Sequence, residues 1–322
     1  MSKKLTITIL FILTCVLLTS CQTKPVIYSD TGFYFDTVIT VTLYENGSEE
    51  ILEETMALAK HYENLHSTTV KGSDIWNLNH NQGTYITLSP ETIDLLNASL
   101  TYARLSDGIV DPTVGALSSL WNFGSDGTDI IPESSAILHA LSHVNYQTLS
   151  IKENEAMLLD PEASIDLGFI AKGYIGEQIK AFLVSQGVTS ALINLGGNVV
   201  TIGTKPDGTP FRIGIQDPFA PSGTAALSLE LSDESAVSAG NYERYFEKDG
   251  IRYHHILSTE DGYPVSSGLS QVTIICKDST KADALSTLCF ILGHEKAASL
   301  LESFPDVRAV FITEDGEILH IN

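Results

Sequence analysis

The chain is poor in basic residues, with 18 Lys and Arg against 40 Asp and Glu and a formal charge of -22. A surface this acidic repels phosphate backbones and anionic headgroups, which argues against nucleic acid as a partner. An anionic ligand would need local compensation from a bound cation, a lysine or backbone N–H groups. Cysteine is scarce as well. Of 4 cysteines, Cys15 and Cys21 fall in the N-terminal leader, so Cys276 and Cys289 alone remain for the folded part. Their spacing matches no metal or redox motif, and they read as two buried free thiols. There is no Gly-x-Gly-x-x-Gly and no Walker spacing, which removes Rossmann and P-loop readings. What is present, 43% hydrophobic residues with 24 Gly and 11 Pro, suffices for a full core and is neither collagen-like nor disordered.

The N-terminus is a short basic start, Met1 to Lys4, followed by an apolar run from Leu5 to Leu18. The run is short of the ~20 residues of a comfortable membrane span and reads as a secretory signal. Leu18-Thr-Ser-Cys21 resembles the bacterial lipobox, in which cleavage leaves Cys21 as a lipid-carrying N-terminus. The organisation expected is a signal peptide over 1–20, a polar tether over 21–30 and one domain over 31–322. The mature protein is expected on the extracytoplasmic face of the cell membrane, held by lipid at Cys21.

Phe33 to Tyr44 alternates with Phe35, Thr37, Ile39, Val41 and Leu43 on one face and reads as one strand. Helices are expected over Glu49 to His66, from Ser89-Pro90 to Asp107-Gly108, from near Ile170 to Gly187, over Thr280 to Leu292, and from His294 to Phe304. Ser190 to Asn194 reads as a strand. Val199–Gly203 and Phe211–Gln216 flank an Asp207-Gly208 turn and read as a hairpin. Further strands are expected at 225–231, 270–276, 307–313 and 317–321. Elements in mixed blocks, without a βαβ rhythm or repeat, indicate an α+β fold, mainly antiparallel sheet with packed helices.

Asp283 and Thr287 lie four apart on a helix and so project from the same face. Both are hard oxygen donors and suit Mg²⁺ rather than zinc. Spacing alone equally allows a dipole-favoured carboxylate beside a packing threonine. Asp166-Leu-Gly-Phe-Ile-Ala-Lys-Gly-Tyr174 sets an acid, a glycine and a lysine around a helix start, a seat for a diphosphate or simply a capping aspartate. Gly196-Gly197 at a strand end allows close approach of a ligand or a bulge. His254 and His255 point to opposite faces if they lie on a strand, so at most one faces a site. Val110-Asp-Pro-Thr113 and Leu120-Trp121-Asn-Phe-Gly124 offer a carboxylate and rings that also fit a turn and core.

Taken in order, Phe35-Asp-Thr37, Val110-Asp-Pro-Thr113, Leu120-Trp121, Asp166 to Gly173, Asn194-Leu-Gly-Gly-Asn198, Ser238-Ala-Gly-Asn-Tyr242, His255-Ile256, Gly262-Tyr-Pro264 and Ala282-Asp-Ala-Leu-Ser-Thr287 resemble the ApbE-type FAD:protein FMN transferase family. The resemblance implies Mg²⁺ held by Asp283, Thr287 and the main-chain carbonyl of Phe169. It implies an FAD pocket formed by Phe35, Val110, Asp111, Asp166, Lys172 and Ile256, with His255 beside the reacting diphosphate. The implied reaction is Mg²⁺-dependent transfer of FMN from FAD to a Thr or Ser of an extracytoplasmic flavoprotein, releasing AMP. An FAD diphosphatase using water as acceptor, or a non-catalytic flavin-binding lipoprotein, are the alternatives. Phe35-Asp36-Thr37 departs from the family's Met-Gly-Thr, and Ser258-Thr-Glu-Asp-Gly262 from its Asp-Pro-x-Thr-Gly.

Overall fold

A computed structural model describes residues 26–81, 83–123 and 129–321. The leader, with Cys15 and Cys21, and Gly124 lie outside the described residues. The alternating segment Phe33 to Tyr44 is two strands rather than one. Strand β1 (Tyr28–Tyr34) pairs antiparallel with β2 (Thr37–Glu45), with Tyr34 opposite Thr37. Phe35 and Asp36, both at φ 55°, form the two-residue turn. Positive φ at both central positions is the primed hairpin turn, where Asn-Gly is usual, so Phe-Asp carries no turn signal. Ile39, Val41 and Leu43 are buried as the alternation requires, while Phe35 leaves their face. β1 opens at Tyr28, inside the segment read as tether.

The sheet that follows has eight antiparallel strands in the order β1-β2-β6-β7-β10-β13-β14-β15. In it β6 is Ser190–Leu195, β7 Asn198–Ile202, β10 Ser235–Gly240, β13 Leu269–Cys276, β14 Arg308–Thr313 and β15 Ile318–Ile321, while β3 (Ile86–Thr87), β4 (Leu149–Lys152) and β5 (Glu155–Leu158) make a small separate sheet and β11 (Tyr245–Lys248) pairs with β12 (Ile251–His254). The hairpin expected across Asp207-Gly208 is not formed. The turn exists, with the Gly208 N–H on the Lys205 carbonyl at 2.8 Å, but its flanking strands pair elsewhere. β7 is buried along its whole length and takes a central place beside β6, whereas β8 (Phe211–Gln216) buries only alternate residues. β8 pairs instead with β9 (Ala225–Leu231) as a separate two-stranded ribbon. Strands buried on both faces go inside a sheet, and strands buried on one face cover it.

Helix α1 (Glu49–His66) is capped by Ser48, whose hydroxyl accepts from the Ile51 N–H. Two further helices, α2 (Asp74–His80) and α3 (Pro90–Leu105), follow, the latter opening on proline as expected. α4 (Gly115–Trp121) and α5 (Ser134–Leu141) are short, and α6 (Ala171–Ser185) and α7 (Ser279–Leu301) are the helices that flank the site. Gly293, at φ 74° and ψ 166°, interrupts α7 where one helix was expected to end and another to begin. Helices α1, α6 and α7 share the main core with sheet residues such as Val200, Ile202, Val272 and Ile274. Val199, Ala236, Ile275 and Val310 point the other way, against Phe211, Ile213 and Leu231 of the ribbon. Cys276 and Cys289 are buried free thiols whose pKa burial pushes up to about 12.

Candidate active site

Antiparallel register brings the chain's motifs to one end of the sheet. The β1–β2 turn and the Gly196–Gly197 turn of β6–β7 meet there, tied by the Gly196 N–H on the Val38 carbonyl at 3.0 Å. A Cβ on Gly196 would collide with the Thr37 side chain, so this glycine is required for the approach of the two turns. β10 runs to the same end and delivers Asn241 to Arg244. The His255 N–H donates to the Arg244 carbonyl at 3.1 Å, which fixes the histidine against that segment.

Beneath these turns α6 crosses α7. Gly173 makes the crossing possible, because a Cβ there would strike the Ser279 carbonyl and the Asp283 side chain. Asp283 is buried, with one carboxylate oxygen accepting from the Gly173 N–H at 2.7 Å and the other from Asn198 Nδ2 at 3.0 Å. Burial raises its pKa, and the Lys172 charge and both hydrogen bonds pull the other way. Gly173 lies in the first turn of α6, where backbone donors have no partner within the helix, and its N–H goes to Asp283. Thr287 stands one turn further along α7, partly exposed. A buried carboxylate with a hydroxyl one turn away supplies hard oxygen donors of the kind Mg²⁺ takes, and the Phe169 carbonyl two residues before α6 is a donor of the same kind, so the residue types present fit that ion.

The diphosphate seat read from the helix start is changed by the structure. The Ala171 N–H bonds to Leu167, that of Gly173 to Asp283 and that of Tyr174 to Ile170, so the first turn spends most of its donors within the chain. Attraction for an anion therefore rests on the side chains of Lys172 and Arg244, whose charges both act on His255. Asp166 does not cap the helix; its carboxylate accepts from the Gly168 N–H at 2.8 Å and its own N–H donates to the Pro112 carbonyl at 2.8 Å.

That last bond ties the Asp166 loop to Asp111. Asp111 is buried and accepts from the Thr113 N–H, the Thr113 hydroxyl and the Tyr146 N–H, while burial raises its pKa against these bonds. It lines a pocket of about 370 Å³ with Gly108, Tyr146 and Thr259. The side chains of Val110 and Ile256 are in the main core, so only their backbone can meet a ligand. Phe35 donates its N–H to Glu63 Oε1 at 2.8 Å.

The two histidines differ in their surroundings, but only His254 lies on a strand, so strand alternation does not set the direction of His255. His254 ends β12 (Ile251–His254), is buried, and places Nε2 on the Val265 carbonyl at 2.9 Å with Nδ1 accepting from the Ile256 N–H at 3.3 Å. His255 has a buried Nδ1 with no hydrogen-bond partner, and Asn241 Oδ1 is orphaned in the same way. Burial, reinforced by Lys172 and Arg244, lowers the His255 pKa to about 3 and keeps the ring neutral. Gly262 brings two further motifs together, its carbonyl accepting from Trp121 Nε1 at 2.8 Å. Sequence reading did not single out Asn198, Asn241 or Arg244 as site residues; Asn198 follows the glycine turn directly, which was its available signal.

An antiparallel α+β fold that gathers a buried carboxylate, a lysine and an unpartnered histidine at one sheet end has the makings of an enzyme. The chain belongs to the ApbE family, whose model matches residues 35–311. It is 34% identical over 296 residues to a FAD:protein FMN transferase of Klebsiella pneumoniae (strain 342), covering 91% of each chain. It is 34% identical over 287 residues to the FAD:protein FMN transferase of Treponema pallidum (strain Nichols), covering 83% of this chain and 78% of that one. The crystal structure of the ApbE protein from Thermotoga maritima superposes with a TM-score of 0.83 at 31% identity, over 91% of this chain and 96% of the other. The flavin transferase ApbE from Vibrio cholerae shares the fold, with a TM-score of 0.82 at 24% identity over 92% and 97% of the two chains.

Proposed function

We propose that this chain, like the relatives it resembles, transfers FMN from FAD to a protein hydroxyl, a Thr or Ser of a flavoprotein acceptor, and releases AMP. The observation that carries the reading is the pair of groups around Lys172: the buried Asp283 carboxylate, held by Gly173 and Asn198, and a histidine with an unpartnered ring nitrogen, both acted on by the lysine charge. Asp283, Thr287 and the Phe169 carbonyl would hold Mg²⁺, which when bound offsets diphosphate charge and polarises its P–O bonds. A dianionic ligand then suits a chain of charge -22.

The residues divide the remaining work. Lys172 supplies positive charge next to the diphosphate, with Arg244 alongside. Phe35, Val110, Asp111, Asp166 and Ile256 contribute to the FAD pocket, Val110 and Ile256 through their backbone. The acceptor oxygen attacks the FMN phosphorus, the P–O bond to the AMP phosphate breaks, and the hydroxyl proton passes to His255. A neutral ring is required for that step, and the environment provides one. Burial is the larger cause of the lowered pKa and the two cations the smaller, so an arriving diphosphate offsets only what Lys172 and Arg244 contribute.

Incubating the full chain with FAD, Mg²⁺ and candidate flavoprotein domains should add an FMN-sized mass to the acceptor. Release of FMN and AMP with no acceptor product would make the protein a diphosphatase instead. Cys21 as a lipidated anchor and an extracytoplasmic location belong to the same proposal. They are supported by Leu18-Thr-Ser-Cys21. Cys21→Ser should abolish lipidation, read by mass spectrometry of the membrane fraction.

A further inference from the structure

Three side chains outside the flavin site converge on one point. His139 lies in the last turn of α5, and the chain continues turning past the helix, with the Ser142 N–H on the Leu138 carbonyl and that of His143 on Ala140. His139 and His143 are therefore neighbours, their rings 4.9 Å apart and nearly perpendicular. Glu162 Oε2 stands 3.1 Å from His139 Nε2 and 3.7 Å from His143 Nε2. All three ligand atoms lie within 4.8 Å of one another. Donors around a tetrahedral zinc with bonds of ~2.0–2.1 Å are separated by about 3.4 Å, a value these two distances bracket.

Asp160 organises the cluster. Its Oδ2 is 2.8 Å from His143 Nδ1 and its Oδ1 accepts from the Glu162 N–H at 2.9 Å. A carboxylate accepts only, so His143 Nδ1 carries the hydrogen, and Nε2, which faces Glu162, is the nitrogen left to ligate a metal. That Nε2 is buried without a hydrogen-bond partner. A histidine oriented by an outer carboxylate, with its second nitrogen idle, is the arrangement of a ligating imidazole. We infer that His139, His143 and Glu162 form a second metal site, for Zn²⁺ or a similar first-row transition ion, with Asp160 as positioning residue and one coordination position open. Two imidazoles and one carboxylate favour such an ion over the Mg²⁺ that suits the oxygen set at Asp283.

The site has a structural consequence. Beyond His143 the chain supplies the Asn145 and Tyr146 N–H groups to Thr113 and Asp111, and beyond Glu162 it reaches Ser164, whose carbonyl accepts from Gly115, and then Asp166. A metal joining His143 to Glu162 clamps the segment after His143, which lines the Asp111 pocket, to the segment after Glu162, which bonds to Pro112 and Gly115. The inference does not depend on what binds in that pocket.

The test is calorimetric titration of the chelator-stripped full chain with Zn²⁺ in excess Mg²⁺, with Co²⁺ absorption as a second readout. One Zn²⁺ per chain at micromolar affinity or tighter is expected, with the visible bands of four-coordinate Co²⁺ and a raised Tm. His139→Ala and Glu162→Gln alter exposed side chains, at 64% and 58% accessibility, and leave the fold intact. Each should weaken binding ~10-fold or more, and Asp160→Asn ~10- to 100-fold. Asp283→Asn should leave Zn²⁺ affinity unchanged. Absence of Zn²⁺ binding, or binding that survives the His139→Ala/Glu162→Gln pair, would reduce the cluster to an ion pair and overturn the inference.

Discussion

The floor and the rim of the proposed active site treat their polar atoms in opposite ways. On the floor, where α6 crosses α7, both oxygens of Asp283 are engaged, by Gly173 and Asn198. On the rim, His255 Nδ1 and Asn241 Oδ1 are buried and unpartnered. An unpaired buried polar atom costs ~1–3 kcal/mol, so a fold tolerates it where something else compensates. The floor is thus built for precision of position and the rim for a partner that arrives with the substrate. His254 and His255 straddle the same divide, one with both ring nitrogens bonded and the other with one idle.

The largest expected effect is on the floor. Asp283→Asn removes the negative charge while keeping side-chain volume, and should lower Mg²⁺-dependent FMN transfer by ~10³-fold or more, since a bound metal supplies several kcal/mol to charge stabilisation in the transition state. Circular dichroism should show an intact fold. Wild-type Mg²⁺ affinity in this variant would remove Asp283 from the metal set. On the rim, His255→Ala should bind FAD and Mg²⁺ and transfer FMN ~10²- to 10³-fold more slowly, as loss of a general base does. His254→Ala should show the reverse pattern, a near-normal rate per folded molecule and a stability loss of ~1–3 kcal/mol in urea melts, because its two hydrogen bonds are buried. Equal rate losses at both positions would erase the distinction.

A smaller effect separates packing from chemistry on the floor itself. Gly173→Ala introduces a methyl group against the Ser279 carbonyl and Asp283, and overpacking of this kind costs ~1–3 kcal/mol. The lowered Tm should be accompanied by weaker Mg²⁺ binding, since the helices part where Asp283 is held. Gly187→Ala is the comparison: that glycine has open space around it but sits at φ 83°, so it should lose stability through backbone strain alone with Mg²⁺ affinity unchanged.

Much of this contrast was legible in the sequence, and the rest was hidden for identifiable reasons. Caps and apolar spacing marked α1, α3, α6 and both halves of α7, because those signals are local. The turn at Phe35-Asp36 was missed because phenylalanine is not a turn former, aspartate stands where glycine is usual, and the alternation continues through it. The Asp207-Gly208 turn was real, yet its strands separated, since partner choice depended on which strand needed burial on both faces. At the site, the i, i+4 spacing of Asp283 and Thr287 followed from element geometry. That Gly173 and Asn198 would grip Asp283 did not, because both contacts join residues 85 or more apart in sequence. The leftover helix donors were misjudged for the same reason, as Gly173 spends its N–H on a residue of another helix.

His66 puts the rule about orphaned atoms under the strictest strain. Both of its ring nitrogens are buried and unpartnered, yet the ring packs against Tyr62 and Tyr174 at the end of α1, in the hydrophobic core and apart from the rim residues. Its cost should appear in stability. Burial lowers its pKa from 6.5 to about 4. The unfolded chain therefore takes up a proton as the pH falls through 6.5 while the native ring stays neutral until about pH 4, and stability is lost across that window. The loss should reach about 2 kcal/mol near pH 5, with full stability restored above the unfolded value. His66→Phe keeps the aromatic packing and removes the titration, so its unfolding free energy should fall less steeply between neutral and mildly acidic pH, by that amount. Urea melts of the two proteins at matched pH values measure the difference directly. Parallel curves would mean that His66 is protonated in the native state, and hence that its nitrogens find partners the folded chain supplies only when the ring is charged.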